Sequence, residues 1–194
     1  MITATKTDIP LMVDILAPAF SDNLSVNRCV KQTPDRFHRI RNQVKYIARI
    51  SLRNRLAFLN EQKTGVVLCN LSHGKKATFF DDIWFLWKVS GLKLGLQLMK
   101  REKLLKQIIP DENCCHLWFI GVSPESQGKG QGSKMILGLQ KICTEQKLPI
   151  FLETSNLRNL AFYEKNGFSI YKKTRLPTDD FDLYFYSWHP EKIQ

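Results

Sequence analysis

The sequence predicts a single α/β domain spanning residues 1–194, and three features support this prediction. The chain has 194 residues, 43% of them hydrophobic, which is enough to bury one core and short for two domains. A compact apolar run at residues 117–122, ended by Ser123 and Pro124, predicts a buried strand. Apolar residues at a helical spacing follow in residues 133–143, and a glycine-rich loop joins the two elements.

The first third of the chain predicts a strand, helices and a hairpin. Residues 2–7 predict the first strand. A helix with Asp8 as its N-cap is predicted to follow and to extend to about residue 20. Two apolar runs at residues 57–60 and 66–71, separated by five turn-forming or polar residues, predict a β-hairpin.

Between these elements lies a strongly basic segment. Nine basic residues and one acidic residue, Asp35, lie between Arg28 and Arg55, and the apolar positions within residues 36–55 follow a helical period. This pattern is typical of a docking face for nucleic acid, an acidic partner or an anionic membrane. The ordinary alternative, which we favour, is a solvated helix face on a protein that handles a polyanionic cofactor.

Residues 79–109 predict a mostly helical stretch, with acidic residues at its start and basic residues toward its end. Gly91 and Gly95 are candidate positions for a break in it. Its aromatic cluster either lines a pocket for an acceptor or, as we favour at this density of apolar residues, belongs to the core. The cluster comprises Phe79, Phe80, Trp84, Phe85 and Trp87.

Other features exclude several classes of protein. The five cysteines are odd in number and show no CxxC spacing, which predicts reduced thiols in a cytosolic protein. The four histidines are scattered, so no metal site is predicted. Residues 1–7 lack the pattern of a signal peptide. Residues 83–99, the longest apolar stretch, carry two lysines and fall short of the roughly 20 residues that span a bilayer. We therefore predict a cytoplasmic protein without a membrane partner.

The loop between the strand and the helix predicts an anion site. Gly128, Gly130 and Gly132 stand at alternate positions with Lys129 between two of them, so backbone N–H groups can point into one concavity without obstruction by Cβ atoms. The positive end of the following helix adds to this, which would let a pyrophosphate bind with little help from side chains.

Two common phosphate-binding motifs fit the loop poorly. A P-loop requires glycine, lysine and then serine or threonine, whereas the order here is Gly132, Ser133, Lys134. A dinucleotide-binding turn requires a glycine where Ser133 stands and a first glycine directly after the strand. Glu153, about twenty residues further on, occupies the place of a ribose-binding acid, so this interpretation stays open as a minor alternative.

The remaining elements form a second block. Residues 150–154 predict a strand, and Asn156 can cap a short helix over residues 157–165. Gly167 is the expected left-handed residue at the end of this helix, and Phe168 the apolar residue that folds back on the last turn. Two closing strands are expected at residues 168–172 and 183–188.

Together the two blocks resemble one family. Gln127, Gly130 and Gly132 occupy the fixed places of the acetyl-CoA signature of the GCN5-related N-acetyltransferases (GNAT superfamily). The second block resembles that family's other signature, an asparagine before a helix that carries tyrosine and ends in Gly-Phe. The matching residues there are Asn156, Asn159, Phe162, Tyr163, Glu164, Lys165, Gly167 and Phe168. Asn159 replaces the usual alanine, so it either contacts a ligand or caps a helix.

The resemblance implies a fold and a cofactor. The family's fold is a mixed, mostly antiparallel sheet of about six to seven strands flanked by helices on both faces, and its cofactor is acetyl-CoA. Cofactor-binding roles are implied for Ile120, Gly121, Val122, Gln127, Gly128, Lys129, Gly130, Gln131, Gly132, Ser133, Asn156 and Asn159. Among these, the strand residues 120–122 would hold the pantetheine and polarise the thioester, with a bulge expected near Gly121.

The resemblance also implies that Tyr163 is the general acid that protonates the leaving thiolate. The ordinary alternative is a buried tyrosine whose hydroxyl donates to a backbone carbonyl. The base is less defined, because the glutamate that some relatives carry on the strand at residues 117–122 is absent. His116 and Glu153 are the candidates; each also has a structural alternative, and water alone could serve.

The leading functional hypothesis is therefore an acetyl-CoA-dependent transfer to a primary amine of a small molecule. A protein or peptide acetyltransferase is the alternative, and a non-enzymatic nucleic-acid-binding module using residues 36–55 is a minor one. The resemblance requires no nucleic acid and leaves a homodimer open. Asp179, Asp180 and Asp182 form an acidic patch that either attracts a cationic amine or, as we favour, forms a turn.

Overall fold

A central sheet of seven strands organises the protein. The computed structural model describes residues 1–110 and 112–190. The strands are β1 (Ile2–Thr3), β2 (Ala57–Leu59), β3 (Gly65–Leu71), β4 (Cys115–Val122), β5 (Ile150–Thr154), β6 (Ser169–Thr174) and β7 (Leu183–Trp188). Their order is β1-β2-β3-β4-β5-β7-β6, and every neighbouring pair is antiparallel except β4 and β5, which are parallel. This confirms the predicted mixed, mostly antiparallel sheet.

Seven α-helices accompany the sheet. They are α1 (Ile9–Ala19), α2 (Leu24–Cys29), α3 (Arg36–Arg53), α4 (Phe79–Phe85), α5 (Leu92–Lys106), α6 (Gln131–Glu145) and α7 (Leu160–Lys165). All except α2 coincide with stretches that the sequence predicted to be helical, and α6 extends beyond the predicted residues 133–143 at both ends. The first strand is shorter than predicted because Thr5 and Asp8 exchange hydrogen bonds that begin a 3₁₀ turn, with the Thr5 N–H donating to the Asp8 carboxylate at 2.9 Å.

The helices lie on both faces of the sheet, as predicted. Alternate residues of β3 separate the two cores: Val66 and Leu68 pack with α1 and α3, whereas Val67 and Cys69 pack with α6. We call these the first and second core. No helix in the described part of the chain is both long and apolar enough to cross a bilayer.

One irregularity in the sheet differs from the prediction. The β3–β4 register shifts so that Leu68 pairs with Phe119 but Cys69 pairs with Leu117, which leaves Trp118 as the extra residue. The bulge expected near Gly121 is therefore wrong by three positions, since Gly121 pairs regularly with Val66. A Cβ on Gly121 would lie 2.8 Å from Leu16 Cδ2, so this glycine allows the close approach of α1.

The helical stretch before β4 is divided at Gly91, as the sequence indicated. A π-helical turn over Leu86–Ser90 follows α4, and Gly91 with a φ of 72° precedes α5. Of the aromatic cluster, Trp84 and Phe85 pack against the first core. The expectation that the whole cluster is core is wrong, because Phe79, Phe80 and Trp87 lie on the outer side of the same helical segment and are exposed.

A buried ion pair connects this segment to the end of the sheet. Arg101 of α5 donates through Nε to Asp179 Oδ2 at 2.8 Å and through Nη2 to Ser25 Oγ at 2.9 Å. The side chains of Arg101 and Asp179 are 7% and 0% exposed. Asp182 pairs instead with Arg175 at 2.9 Å. Asp179 and Asp182 are therefore committed to internal ion pairs, which agrees with the structural interpretation of the acidic patch.

The ion pair makes a testable prediction about stability. Asp179→Asn leaves the buried Arg101 charge without its counter-ion, and breaking such pairs costs on the order of 3–5 kcal/mol. We expect chemical denaturation to show a loss of that size. Asp180→Asn is the matched control, because Asp180 is exposed and next in sequence. Equal stability of the two variants would show that the ion pair contributes no net stability.

Candidate active site

The site begins where β4 and β5 separate. The two strands share only the pairs Cys115 with Ile150 and His116 with Phe151. From Leu117 to Val122, β4 pairs only with β3, so alternate backbone N–H and C=O groups along its other edge have no strand partner among the described residues. A wedge-shaped opening therefore divides the sheet beside the predicted cofactor strand.

The glycine loop follows β4 and has a left-handed backbone at two of its glycines. Gly128 and Gly130 have φ values of 73° and 72°, and a Cβ on either would meet no atom within 4 Å. Packing therefore does not require glycine at these two positions, while the backbone conformation favours it. The space in front of the loop is open.

The first turn of α6 contributes unpaired donors. Its first internal hydrogen bond runs from the Lys134 N–H to the Gly130 carbonyl at 3.1 Å, so the N–H groups of Gln131, Gly132 and Ser133 have no intrahelical acceptor. Gly130, the N-cap residue, offers no side chain to satisfy them. These N–H groups and the positive end of the helix macrodipole together favour a phosphate at this point.

The loop's polar side chains stabilise its shape. Gln127 Nε2 donates to the Val122 carbonyl at 3.1 Å, and Lys129 Nζ donates to the Glu125 carbonyl at 2.8 Å. Gln131 Oε1 accepts from Asn60 Nδ2 at 3.4 Å. The groups of this loop that are free to bind an anion are therefore mainly backbone amides.

The second motif packs directly against the first. A Cβ on Gly132 would lie 3.3 Å from the Phe162 ring, so this glycine lets α6 approach α7 closely. Asn156 caps the 3₁₀ turn before α7 by accepting from the Arg158 N–H at 3.1 Å, as predicted. Asn159 stands at the N-cap of α7 but makes no capping hydrogen bond, so its alternative role as a second helix cap is wrong.

Tyr163 lies in α7 among the aromatic rings of the second core and is buried. Its hydroxyl makes no hydrogen bond to any residue that the structure describes, in contrast to the Tyr186 hydroxyl, which donates to Glu164 Oε1 at 3.0 Å. The alternative of a carbonyl-bonded structural tyrosine is therefore not observed. Burial raises the pKa of Tyr163 above its ordinary value of 10.0, and the Glu153 carboxylate raises it further. The phenol is thus a protonated donor with no partner.

The two candidate bases contact each other across the narrow end of the wedge. His116 Nε2 lies 2.6 Å from Glu153 Oε2, and the Trp118 indole Nε1 lies 3.0 Å from His116 Nδ1. An indole N–H can only donate, so Nδ1 is the acceptor and the proton of neutral His116 is on Nε2, from which it donates to Glu153. Both histidine nitrogens are occupied.

This arrangement distinguishes the two candidates. Burial alone raises the pKa of Glu153, but the charge of protonated His116 and its hydrogen bond, together with the charge of Arg101 and a backbone hydrogen bond, outweigh that effect and leave the pKa below the ordinary 4.5. Glu153 is therefore ionised at neutral pH, and its other oxygen has no hydrogen bond to a described residue. Glu153 is the freer acceptor of the two, and His116 is placed to orient it.

Sequence reasoning missed Trp118. It lies two residues after His116 on the same strand, and the period of two that puts such residues on one face was the available signal. Leu152 belongs to the second core, so the adjacent Glu153 points to the opposite face of β5. Tyr163, in the second core, and Glu153 thus lie on opposite faces of the sheet.

Comparison with known proteins identifies the family. The profile described as "Acetyltransferase (GNAT) family" matches residues 31–168, well over half of the chain. The chain belongs to the GNAT acetyltransferase family. An uncharacterized N-acetyltransferase of Schizosaccharomyces pombe is 40% identical over 115 residues, which cover 51% of this chain and 46% of that relative. The match therefore spans about half the length of the relative.

Solved structures show the same fold as this GNAT protein. A Corynebacterium glutamicum protein described as histone acetyltransferase HPA2 and related acetyltransferase aligns with a TM-score of 0.67 and 17% identity, covering 97% of this chain and 94% of that one. The polyamine N-acetyltransferase of Drosophila melanogaster aligns with a TM-score of 0.65 and 12% identity, covering 97% and 98%. At these identities the likeness establishes the fold alone.

The lowered pKa of Glu153 predicts a pH-dependent contribution to stability. Because the folded-state pKa lies below the unfolded value, ionised Glu153 stabilises the protein above pH 4.5, and this contribution is lost as pH falls through the folded-state pKa. We expect Glu153→Gln to lower the free energy of unfolding by about 1 kcal/mol at pH 7.

Denaturant titrations between pH 7 and pH 3 provide the measurement. The difference between wild type and Glu153→Gln should shrink on the acid side, while Glu145→Gln, at an exposed position of α6, should show little difference at any pH. A Glu153→Gln difference that is largest at pH 3 would contradict the assigned direction of the shift.

Proposed function

We propose that this GNAT protein is an acetyl-CoA-dependent N-acetyltransferase that acts, as one domain of residues 1–194, on the primary amine of a small molecule. The observation that carries the proposal is the wedge between β4 and β5, with an anion cradle at its wide end. The unpartnered phenol of Tyr163 and the ionised carboxylate of Glu153 approach it from opposite faces.

The proposed cofactor contacts follow from the geometry of the loop and strand. The backbone N–H groups of residues 128–133 bind the pyrophosphate of acetyl-CoA, and Gln127, Lys129 and Gln131 hold the loop in the shape that this requires. The open edge of β4, including residues 120–122, binds the pantetheine. Because the bulge lies at Trp118, the donor that we propose for the thioester oxygen is nearer the narrow end of the wedge than Gly121. Asn156 and Asn159 complete the site from the α7 side.

The proposed chemistry is a direct acyl transfer. The amine nitrogen forms a bond to the acetyl carbon, the carbon–sulfur bond breaks, and the leaving thiolate takes the proton of the Tyr163 hydroxyl, which solvent replaces. Because its pKa is lowered, Glu153 holds a proton weakly. Its carboxylate therefore attracts and orients the cationic amine, accepts one proton from the ammonium nitrogen so that a lone pair is free to attack, and passes that proton to water, while His116 fixes the position of Glu153.

Restricted access on the Glu153 side supports a small acceptor. Glu153 and His116 side chains are only 21% and 15% exposed. The Drosophila polyamine N-acetyltransferase, described as forming N-acetylagmatine, provides a precedent for a small amine on this fold.

The structure gives less support to a nucleic-acid function for α3. Its arginines are mostly engaged within the protein: four of them donate hydrogen bonds to protein oxygens, and a fifth stacks on an aromatic ring. The contacts are Arg36 with Asn27, Arg39 with Asp35, Arg41 with Asp14, Arg53 with Asp81, and Arg49 over the Trp84 ring at 4.9 Å. Much of the basic character of this helix therefore serves to anchor neighbouring elements.

An acceptor screen tests the proposed function. Release of free CoA from acetyl-CoA is measured with a panel of primary amines, including diamines and arylalkylamines, beside lysine-containing peptides and proteins. Turnover with small amines supports the proposal. Turnover with peptides or proteins alone would establish the alternative acceptor class. No release of CoA with any acceptor, together with no thermal stabilisation by acetyl-CoA, would contradict the proposed acetyl-CoA-dependent activity.

The cradle predicts the effect of one methyl group. Gly130→Ala places a Cβ in the open space in front of the loop and strains a residue at a φ of 72°, so we expect at least a tenfold loss of acetyl-CoA affinity by calorimetry. Gly167→Ala is the control for strain, since it has a φ of 80° and its added Cβ would make only ordinary contacts with Trp188. Equal acetyl-CoA affinities of Gly130→Ala and Gly167→Ala would show that the loop does not bind the cofactor.

The proposed acid role of Tyr163 predicts that its hydroxyl affects turnover but not the binding of acetyl-CoA. Tyr163→Phe removes only the hydroxyl, so we expect kcat to fall by roughly 10²-fold or more while the affinity for acetyl-CoA is retained. Tyr46→Phe is the control, because the Tyr46 hydroxyl donates to Asp82 at 2.9 Å away from the wedge. An undiminished kcat in Tyr163→Phe would exclude the acid role.

A further inference from the structure

Exposed large apolar side chains concentrate in one helical segment. Phe79, Phe80 and Trp87 are 73%, 80% and 73% exposed, and Leu92 and Met99 are 72% and 60% exposed. In the described part of the chain, seven of the fifteen exposed large apolar residues lie between residues 79 and 99. Apolar surface of this density on a folded protein indicates a contact surface.

The exposed residues form stripes, while the inner face of the segment is already packed. Phe79, Ile83 and Trp87 recur every four residues on the outer side, whereas Trp84 and Phe85 pack against the first core. In α5 the exposed stripe is Leu92, Leu96 and Met99, and Arg101, Leu104 and Leu105 supply the inner contacts. We call the outer stripes, with the lysines around them, the apolar–basic face.

The charges around these stripes are strongly unbalanced. Between Lys75 and Lys106 there are eight basic and three acidic residues. The acidic residues are occupied: Asp81 pairs with Arg53, Asp82 accepts from the Tyr46 hydroxyl, and Glu102 pairs with Lys106. In contrast, six lysines of this stretch make no ion pair with any described residue; they are Lys75, Lys76, Lys88, Lys93, Lys100 and Lys103.

The combination of apolar and basic groups selects one class of partner. A second copy of the same face would bring lysines against lysines, and a neutral apolar partner would leave their charges unpaired on docking. The surface of an anionic bilayer satisfies both components, because aromatic side chains enter the boundary between headgroups and acyl chains while lysines contact lipid phosphates. The Lys88 ammonium already lies 3.9 Å above the Trp87 ring centroid, an arrangement in which ring and cation occupy the same interface.

We propose that the apolar–basic face docks this protein on the surface of an anionic membrane. Phe79, Phe80 and Trp87 enter the interface, with Leu92, Leu96 and Met99 on the following helix, and the free lysines bind anionic headgroups. This is peripheral docking, in which both helices lie along the surface and none crosses the bilayer.

Vesicle co-sedimentation of the full chain tests the proposal. The probes are phosphatidylcholine vesicles with and without 30 mol% phosphatidylserine, in about 0.1 M salt. We expect binding to the anionic vesicles at least about tenfold tighter than to neutral ones, weakening as the salt is raised. Equal binding to both vesicles, or no binding to either, overturns the proposal.

Two variants, each with a matched control, separate the components of the face. Phe80→Ser/Trp87→Ser should lower the partition coefficient by about tenfold or more, whereas Leu137→Ser/Ile170→Ser, at positions 60% and 47% exposed elsewhere, should not. Lys76→Glu/Lys93→Glu should weaken binding about tenfold or more, whereas Lys6→Glu/Lys141→Glu, with the same change in net charge at other exposed positions, should have a much smaller effect.

Further outcomes would overturn the assignment. Equal losses in either variant and its control would mean that binding does not use this face. Light scattering that shows a concentration-dependent dimer, lost in Phe80→Ser/Trp87→Ser, would identify a second copy as the occupant. The measurement is independent of acetyl transfer, so its result is informative whether or not the proposed enzymatic function is correct.

Discussion

The arrangement of the site depends on the early separation of two parallel strands. β4 and β5 pair at two positions and then diverge, and every other neighbour in the sheet is antiparallel. Because no strand among the described residues fills the gap, the backbone of β4 keeps unpaired polar groups on one edge, which in a closed sheet would be used for pairing. The bulge at Trp118 lies on this same stretch, so the sheet is irregular where the site needs exposed donors.

Electrostatic contacts over long sequence separations hold the two sides of the opening. His116 and Glu153 are 37 residues apart, and their hydrogen bond spans the narrow end of the wedge. Arg101 and Asp179 are 78 residues apart, and their buried pair fixes α5 against the end of the sheet. A buried ion pair often contributes little net stability, so we take the role of the Arg101–Asp179 pair to be chiefly geometric.

Local signals in the sequence predicted much of this structure, and the failures have a common cause. Asn156 and Gly167 marked the ends of helices correctly, and the apolar runs of β4 and β5 located both strands of the wedge. Asp8 lies directly before α1, but its carboxylate accepts from the Thr5 N–H and does not cap that helix, so its predicted capping role is wrong. The sequence did not reveal α2, whose six residues are too few to show a helical period. Neither the bulge at Trp118 nor the partner of Asp179 could be predicted, because each depends on register or on contacts between distant segments. Helix α3 (Arg36–Arg53) shows the same limit of sequence analysis. Its composition predicts its positive charge, but only its packing shows which of its charged side chains are already paired within the protein.

The four glycines of the strand and loop separate the requirements of folding from those of ligand binding. At Gly121 and Gly132 a Cβ would press on Leu16 or Phe162, so glycine there allows helices to approach. At Gly128 and Gly130 a Cβ would meet nothing, yet both residues adopt a left-handed backbone that costs other residues about 1 kcal/mol or more. No packing contact of the described residues explains that conformation. Both glycines directly precede the first turn of α6, whose N–H groups have no intrahelical acceptor, and this is our reason for proposing that they serve an anionic ligand.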